Sequence, residues 1–324
     1  MIQHQRINEK ISYDLGEEIF GAIRDPQVIE IMLNEDSQVW IDTYTGMRKF
    51  CELSPEKAKN FINTIASINE TEVNKDCPNL STEIRFKLED GYQVCRFQAL
   101  VPPVVSYPVF SIRKPARKVI TLQKYCQDQV ITLEQYQAIV KAVEARKSIL
   151  VAGSTGSGKT TLCNAILDQI AQTFPEDRIA IIEDTLELQC NVKNRVSLKT
   201  SDNRSMDDLL RYCMRLRPDR IIVGEVRGKE AHTLIKALNT GHPGGLSTIH
   251  ANNAARALMR LEQLILEANV APVPDTIAEA INMVVNITRS NKNSAGRLVN
   301  EILEVKAFDK KEGQYVLEPV IRSR

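Results

Sequence analysis

The sequence has few aromatic residues, few histidines and no closely spaced cysteine pairs. Only 5% of its 324 residues are aromatic, with a single Trp, and only four residues are His. The seven cysteines are odd in number, and no two of them form a CxxC pair, which argues against a zinc ribbon or a redox motif. We therefore expect reduced thiols in a cytosolic protein.

The sequence also lacks an excess of either charge and lacks long apolar runs. The formal net charge is +1, so the composition gives no support for strong direct nucleic-acid binding. No apolar run approaches the roughly 18 residues of a membrane span, and the N-terminal segment MIQHQRINEK lacks the apolar core of a signal peptide. We expect a cytoplasmic protein whose association with a membrane is at most peripheral and mediated by partners.

Residues 1–115 predict a small α/β domain. Ser54 and Pro55 form an N-cap and a first helical position, and apolar residues follow at helical spacing. Alternating apolar and charged residues predict a strand over 84–88, and Asp90-Gly91 predicts a two-residue turn into a partner strand. The other predicted strands are 30–34, 38–42 and 109–113, and a linker is expected over 116–131.

Residues 132–324 predict a second α/β domain. Thr132 and Gln135 fit a capping box that opens a helix, after which strands and helices alternate. Such alternation, with short and almost wholly apolar strands, predicts a mostly parallel sheet covered by helices on both faces. The predicted strands are 148–152, 179–182, 221–223, 246–249, 283–287, 298–305 and 315–321, and the predicted helices are 160–170, 206–216 and 230–239.

The segment GSTGSGKT, residues 153–160, matches the phosphate-binding pattern G-x-x-x-x-G-K-[ST] in full. A predicted buried strand precedes it and a predicted helix follows it, so its amides would face phosphate oxygens at a helix N-terminus. The lysine would neutralise the β- and γ-phosphates, and the threonine hydroxyl would complete the shell of a Mg²⁺ ion. The fold class predicted is therefore α/β, with a recombinase-like P-loop NTPase core preceded by a smaller α/β domain, and the predicted cofactors are ATP and Mg²⁺. The predicted ATP-binding residues of the loop are Gly153, Ser154, Thr155, Gly156, Ser157, Gly158, Lys159, Thr160 and Thr161.

Two further apolar segments end in acidic residues. IAIIED ends in Glu183 and Asp184, and RIIVGEVRG contains Glu225. The carboxyl ends of parallel strands meet at the ligand crevice, so we expect Glu183 and Glu225 beside the phosphates, as Mg²⁺ ligands or catalytic groups. The usual Walker B pattern has an Asp where this sequence has Gly224, and spacing leaves open which glutamate has which role.

The arginines around the second acidic segment are predicted to have different roles. Arg227 lies two residues beyond Glu225, so we expect it to meet a phosphate in its own subunit or in a neighbouring one. Arg217 and Asp219 precede the strand at its far end, and their expected role is structural or intersubunit.

The segment TGHPGGLSTIH, residues 240–250, contains two of the four histidines. Gly241 suits the C-cap of the preceding helix, and residues 243–245 predict a turn into the next strand. His250 falls at the carboxyl end of that strand, and we expect it to sense the γ-phosphate. His242 is expected to shape the loop or to face a neighbouring subunit.

In order and separation, GSTGSGKT, IEDTLELQ, RPDRIIVGEVRG and TGHPGGLSTIHA resemble the Walker A, Asp, Walker B and His boxes of the secretion ATPase superfamily. The chain is most similar to the VirB11-like branch of type IV secretion, whose N-terminal domain the segment RFQALVPPVVSYPVFSIRKPA also resembles. The resemblance implies a hexameric, ATP-hydrolysing motor of conjugative transfer that works with other secretion components at the inner membrane. It further implies that ATP lies between two domains and that Arg96 and Arg113 reach its phosphates, although surface ion pairs are an alternative role for these arginines.

Three other functions share parts of this pattern. A pilus retraction or assembly ATPase shares all four boxes, but the tetracysteine zinc module of the assembly type is absent from this sequence. A DNA helicase or strand-exchange protein shares the core. A regulator that binds nucleotide without turnover is disfavoured by the presence of Lys159, Thr160, Glu183 and Glu225.

Overall fold

The computed structural model describes residues 2–43, 46–88, 91–115, 119–201 and 203–322. The chain divides into two compact units, Met1–Arg117 and Lys118–Arg324. All seven cysteines are free thiols, as expected. No helix in the described ranges combines the length and hydropathy that a bilayer crossing requires.

The first unit is built on a six-stranded antiparallel sheet, with strand order β3-β2-β1-β6-β5-β4. Helix α2 begins where the sequence predicts, because the Ser54 hydroxyl accepts a hydrogen bond from the amide of Lys57. Asp90 of the predicted Asp90-Gly91 turn lies outside the described residues. The elements are α1 (Ile2–Arg24, interrupted at Gly16), β1 (Val28–Leu33), β2 (Gln38–Thr43), β3 (Gly46–Glu52), α2 (Pro55–Ile68), β4 (Asn79–Leu88), β5 (Gly91–Leu100) and β6 (Val109–Arg113).

The second unit is built on an eight-stranded sheet, with strand order β14-β13-β12-β7-β11-β10-β8-β9. The strands from β12 to β9 in this order pair in parallel, and β13 and β14 add an antiparallel edge. The elements are α3 (Leu122–Gln127), α4 (Leu133–Glu144), β7 (Ile149–Gly153), α5 (Lys159–Thr173), β8 (Ile179–Glu183), β9 (Arg195–Lys199), α6 (Met206–Cys213), β10 (Arg220–Val226), α7 (Glu230–Asn239), β11 (Leu246–His250), α8 (Ala254–Glu267), α9 (Pro274–Ala280), β12 (Met283–Arg289), β13 (Arg297–Asp309) and β14 (Gln314–Arg322).

The strands of this sheet are buried on both faces because successive side chains point to opposite sides. In β7, Ile149 and Val151 pack into the core formed with α3, α4 and α5. Leu150 and Ala152 pack into the core formed with α6, α7, α8 and α9. Helices therefore cover both faces, with α5 and α8 on opposite ones, and the predicted fold class is confirmed.

Most of the predicted elements are present, and a few were not predicted. The capping box at Thr132 and Gln135 forms in full. Residues 122–131 of the predicted linker instead contain α3, whose Leu122 and Tyr125 are buried in the core of the second unit. Helices α1, α8 and α9 and strands β3 and β9 were not predicted; α8 nevertheless carries an apolar stripe at helical spacing.

Candidate nucleotide-binding site

The GSTGSGKT loop, which is predicted to bind phosphate, lies between β7 and α5, in the context that its sequence predicts. β7 ends at Gly153, and α5 begins at Lys159. Gly156 and Gly158 have φ angles of +70° and +101°, in the left-handed region that glycine adopts without strain. A Cβ atom on Gly153 would clash with the carbonyl oxygen of Ile287. The path of the loop therefore depends on its glycines.

Several hydrogen-bond donors of this loop have no acceptor in the described part of the chain. They include the amides of Thr155 and Gly158. The Ser157 hydroxyl is fully buried and also lacks a partner among the described residues. Thr160 and Thr161 lie in the first turn of α5, whose amides have no acceptor within the helix. Unpaired donors at a helix N-terminus fit a phosphate group.

Lys159 is buried beneath the loop and is only 8% exposed. Its Nζ donates to the Ser154 carbonyl at 3.0 Å and lies 3.3 Å from Nδ1 of His250. Burial lowers the pKa of Lys159, although nearby Glu225 raises it. Because a lysine ammonium can only donate, Nδ1 of His250 accepts, and a neutral ring carries its proton on Nε2.

The other side of His250 faces the predicted catalytic acids. Its Nε2 lies 2.6 Å from Oε1 of Glu225, and burial lowers the pKa of His250 despite that carboxylate. Oε2 of Glu225 accepts from Nε of Arg227 at 2.7 Å, and Nη1 of Arg227 lies 3.5 Å from Oδ2 of Asp184. We call this series, from Lys159 through His250, Glu225 and Arg227 to Asp184, the His250 contact chain.

Glu183 is held differently from Glu225. It is buried, and its Oε1 accepts hydrogen bonds from the amides of Glu187 and Leu188, both at 2.9 Å. A Cβ atom on Gly224 of the adjacent strand would lie only 2.9 Å from Cγ of Glu183. The glycine at the usual Walker B aspartate position therefore makes room for Glu183, whose carboxylate organises the segment that follows β8.

Two arginines that no motif marked lie against the loop. Nε of Arg289 lies 3.4 Å from the carbonyl oxygen of Gly156, and a Cβ atom on Gly158 would lie 2.5 Å from Nη1 of Arg297. The two arginines are cross-strand partners in β12 and β13. β12 lies parallel to and beside β7. Only this strand order places the two arginines beside the loop, and no sequence motif indicates it.

Arg96 and Arg113 are neighbours on the sheet of the first unit. They are directly opposite one another in the register of β5 and β6, and both are exposed. Glu83 faces Arg96 across β4, and Glu30 faces Arg113 across β1. Across these four strands the order of side chains is therefore acid, base, base, acid. Both ion pairing and phosphate binding are chemically reasonable for the two arginines.

The predicted structural residues lie at the amino edge of the second sheet, opposite the loop. Nδ1 of His242 lies 3.2 Å from the carbonyl oxygen of Ala237 at the end of α7. Oδ2 of Asp219 accepts from the amide of Arg178 at 2.7 Å. Arg217, just before the strand, has a left-handed backbone. These contacts pair His242 and Asp219 with nearby residues at the end of the strands opposite the phosphate loop.

No cluster of three or more His, Cys, Asp or Glu side chains that could hold a metal ion occurs in the ranges that the structure describes. Mg²⁺ commonly binds proteins through one or two carboxylates together with substrate phosphates. The donors present, a threonine hydroxyl at the start of α5 and carboxylates at the ends of β8 and β10, fit a Mg²⁺ ion that shares its ligands with a nucleotide.

Known proteins resemble the chain along most of its length. The family model described as "Type II/IV secretion system protein" matches residues 56–316. The probable conjugal transfer protein TrbB of Sinorhizobium fredii is 43% identical over 97% of this chain and 94% of its own length. The type IV secretion system protein VirB11 of Bartonella quintana is 29% identical over 82% of this chain and 84% of its own. The X-ray structure of the ATPase DotB of Legionella pneumophila superposes with a TM-score of 0.65 at 18% identity, covering 91% of this chain and 82% of that one, and so supports the fold. The chain belongs to the type II/IV secretion system protein family.

Proposed function

We propose that the chain hydrolyses ATP as a motor subunit of a type IV secretion or conjugative transfer system. The observation that carries this proposal is the His250 contact chain, in which one imidazole contacts both the P-loop lysine and a carboxylate. The similarity to conjugal transfer and type IV secretion proteins supports the choice of system.

Different residues of the site have different roles in hydrolysis. The loop amides and Lys159 bind and orient the phosphates, and Glu225 accepts the proton of the attacking water. The water oxygen bonds to the terminal phosphorus, and the bond to the bridging oxygen breaks with its electron pair going to ADP. His250 senses whether the γ-phosphate is present, since it contacts both Lys159 and Glu225.

A bound Mg²⁺ ion would neutralise charge on the two terminal phosphates. The Thr160 hydroxyl and one or both of Glu183 and Glu225 would hold it. Glu183 is the better candidate for positioning the ion, because hydrogen bonds from two backbone amides to one of its oxygens fix its carboxylate. Arg227, Arg96 and Arg113 would supply further positive charge to the phosphates.

The motor would work as a homohexamer. It would act on the cytoplasmic side of the inner membrane with other secretion components. A guanidinium from the first domain or from a neighbouring subunit would couple ATP turnover to movement.

Replacing Lys159 by Ala tests the proposed activity. We expect turnover of ATP to fall to background, because the site loses the buried ammonium that would neutralise the β- and γ-phosphates, while circular dichroism stays unchanged. The exposed Lys193→Ala variant is the matched control and should retain full activity. A wild-type protein that hydrolyses no ATP in any oligomeric state would refute the proposal, and turnover that depends strongly on DNA would favour a helicase-type ATPase.

A further inference from the structure

A solvent-open cleft of about 660 Å³ lies beside the phosphate loop, on the opposite side from α5. Ser154 and Thr155 of the loop, His250 at the end of β11 and one face of α8 line it. His250 also contacts Lys159 and Glu225. The cleft thus shares a wall with the place where the terminal phosphate would be cleaved.

The charge of this cleft is positive. Arg256 and Arg260 line it from successive turns of α8, since residues four apart lie on the same side of a helix. Among the described residues that line the cleft, none is an Asp or a Glu. A small anion in the cleft would meet two guanidinium groups and no opposing carboxylate on the lining.

The two arginines differ in their partners. Nη1 of Arg260 lies 3.2 Å from Oε1 of Glu267 and 3.3 Å from Oε1 of Gln263, which holds its side chain along the helix. The Arg256 guanidinium is exposed and has no hydrogen bond or ion pair with another described residue. Arg256 is therefore the cation that is available to a ligand, and Arg260 lies one turn behind it.

We propose that this cleft binds the inorganic phosphate produced by hydrolysis and is its route of release. The inference rests on the proposed ATPase function and assigns Arg256 as the main phosphate contact, with Arg260 as the second. Guanidinium groups match phosphate oxygens bidentately. Phosphate would pass His250 into the cleft, while ADP stays on the loop.

Direct phosphate binding tests the site without relying on turnover. Radiolabelled inorganic phosphate is added to the ADP-loaded full-length protein, and binding is measured by equilibrium dialysis for wild type, Arg256→Gln and Arg256→Lys. Loss of a charge-assisted hydrogen bond predicts at least a tenfold weaker affinity for Arg256→Gln, and partial recovery with lysine. The control is Arg215→Gln, an exposed arginine at the amino edge of the sheet.

Steady-state kinetics provide the second measurement. Inhibition of ATP turnover by added phosphate should weaken by a similar factor in Arg256→Gln, whereas inhibition by ADP should not change. Phosphate binding that is equal in wild type and Arg256→Gln, or absent from both, overturns the proposal. A changed oligomer mass in Arg256→Gln with unchanged phosphate binding also overturns it, and assigns the cleft to contact between copies. If wild type binds phosphate but lacks turnover, the proposed ATPase function fails while the phosphate site stands.

Discussion

The imidazole of His250 joins a cation and an anion through its two nitrogens. Nδ1 faces Lys159 at 3.3 Å and Nε2 faces Glu225 at 2.6 Å. This arrangement needs the neutral ring, because a protonated ring would present a second cation to Lys159. Burial favours the same neutral form by lowering the pKa of His250. Protonation of this ring would therefore break its contact with Lys159 while the contact with Glu225 remains.

The pKa of His250 predicts how stability changes with pH. In the unfolded chain the ring binds a proton below about pH 6.5, whereas in the folded protein it does so only at lower pH. Stability should therefore fall as the pH drops below about 6.5, and level off below the folded pKa. Melting temperatures at pH 7.5 and 5.5 should show a larger loss for wild type than for His250→Gln. Equal losses in both proteins would contradict the assignment, and His232→Gln serves as the control histidine.

The two candidate glutamates should respond differently to the same substitution. Glu225→Gln removes the proposed proton acceptor, so turnover should fall by about 100-fold or more while nucleotide affinity is retained. Glu183→Gln keeps an oxygen that can accept the amides of Glu187 and Leu188, so its loss of turnover should be smaller. Measuring ATP turnover and nucleotide binding for both variants checks this order. The reverse order would make Glu183 the catalytic base.

At the scale of elements, the amino edge of the second sheet is held by one buried ion-pair cluster. Arg220 at the start of β10 is fully buried, with Nε 2.8 Å from Oδ2 of Asp177 and Nη1 3.1 Å from the carbonyl of Gly244. Arg146, after α4, lies 2.7 Å from the other Asp177 oxygen. Both guanidinium groups lie over the ring of Phe174. One carboxylate thus ties the ends of α4 and α5 to the strand β10.

Replacing Asp177 by Asn should destabilise the protein by about 3–5 kcal/mol, because it leaves a buried arginine without its counter-charge. Burial alone would raise the pKa of Asp177, but its two arginines outweigh burial and lower it. Stability from this carboxylate should therefore be present above about pH 4 and fall as the pH drops through the lower folded pKa. Urea unfolding measures both effects. The exposed pair Lys124–Asp128 supplies the control Asp128→Asn, which should cost less than about 1 kcal/mol; an equally small cost at Asp177 would contradict the role of the cluster.

At the scale of the whole molecule, the two units have separate hydrophobic cores. The core of the first includes Phe61, Phe97 and Phe110, whose rings contact one another. The second has one core on each face of its sheet. Separate cores permit the units to move as bodies, which is the property that the proposed motor requires.

The proposed motor should assemble in a nucleotide-dependent manner. Mass photometry with ATP and Mg²⁺ should show a species of six times the 36.5 kDa chain, and Lys159→Ala should show less of it because this variant loses the lysine that binds the phosphates. Protein that remains monomeric with and without nucleotide would contradict the motor, because one subunit must push on the next.

Several local features of the fold are predictable from the sequence. The phosphate loop, the caps at Ser54 and Thr132 and the carboxylates at strand ends depend on residues that are close in the chain, and local sequence fixes them through backbone conformation and hydrogen bonding. Helix α8 is not among the predicted elements although its apolar stripe is regular, and the predicted linker includes α3 because basic residues and a proline precede it.

The sequence by itself thus determined that the GSTGSGKT loop leads into α5 and that acids and a histidine end the neighbouring strands. Only the tertiary structure decided which of them meet: Glu225 contacts His250, Glu183 is tied to its own loop beside Gly224, and Arg289 and Arg297 reach the glycines of the loop. The physical reason is that contacts between strands depend on strand order and register. β7 lies between β11 and β12 in the sheet. Each of these two strands is about a hundred residues or more from β7 along the chain, and spacing in the sequence does not encode that they are neighbours.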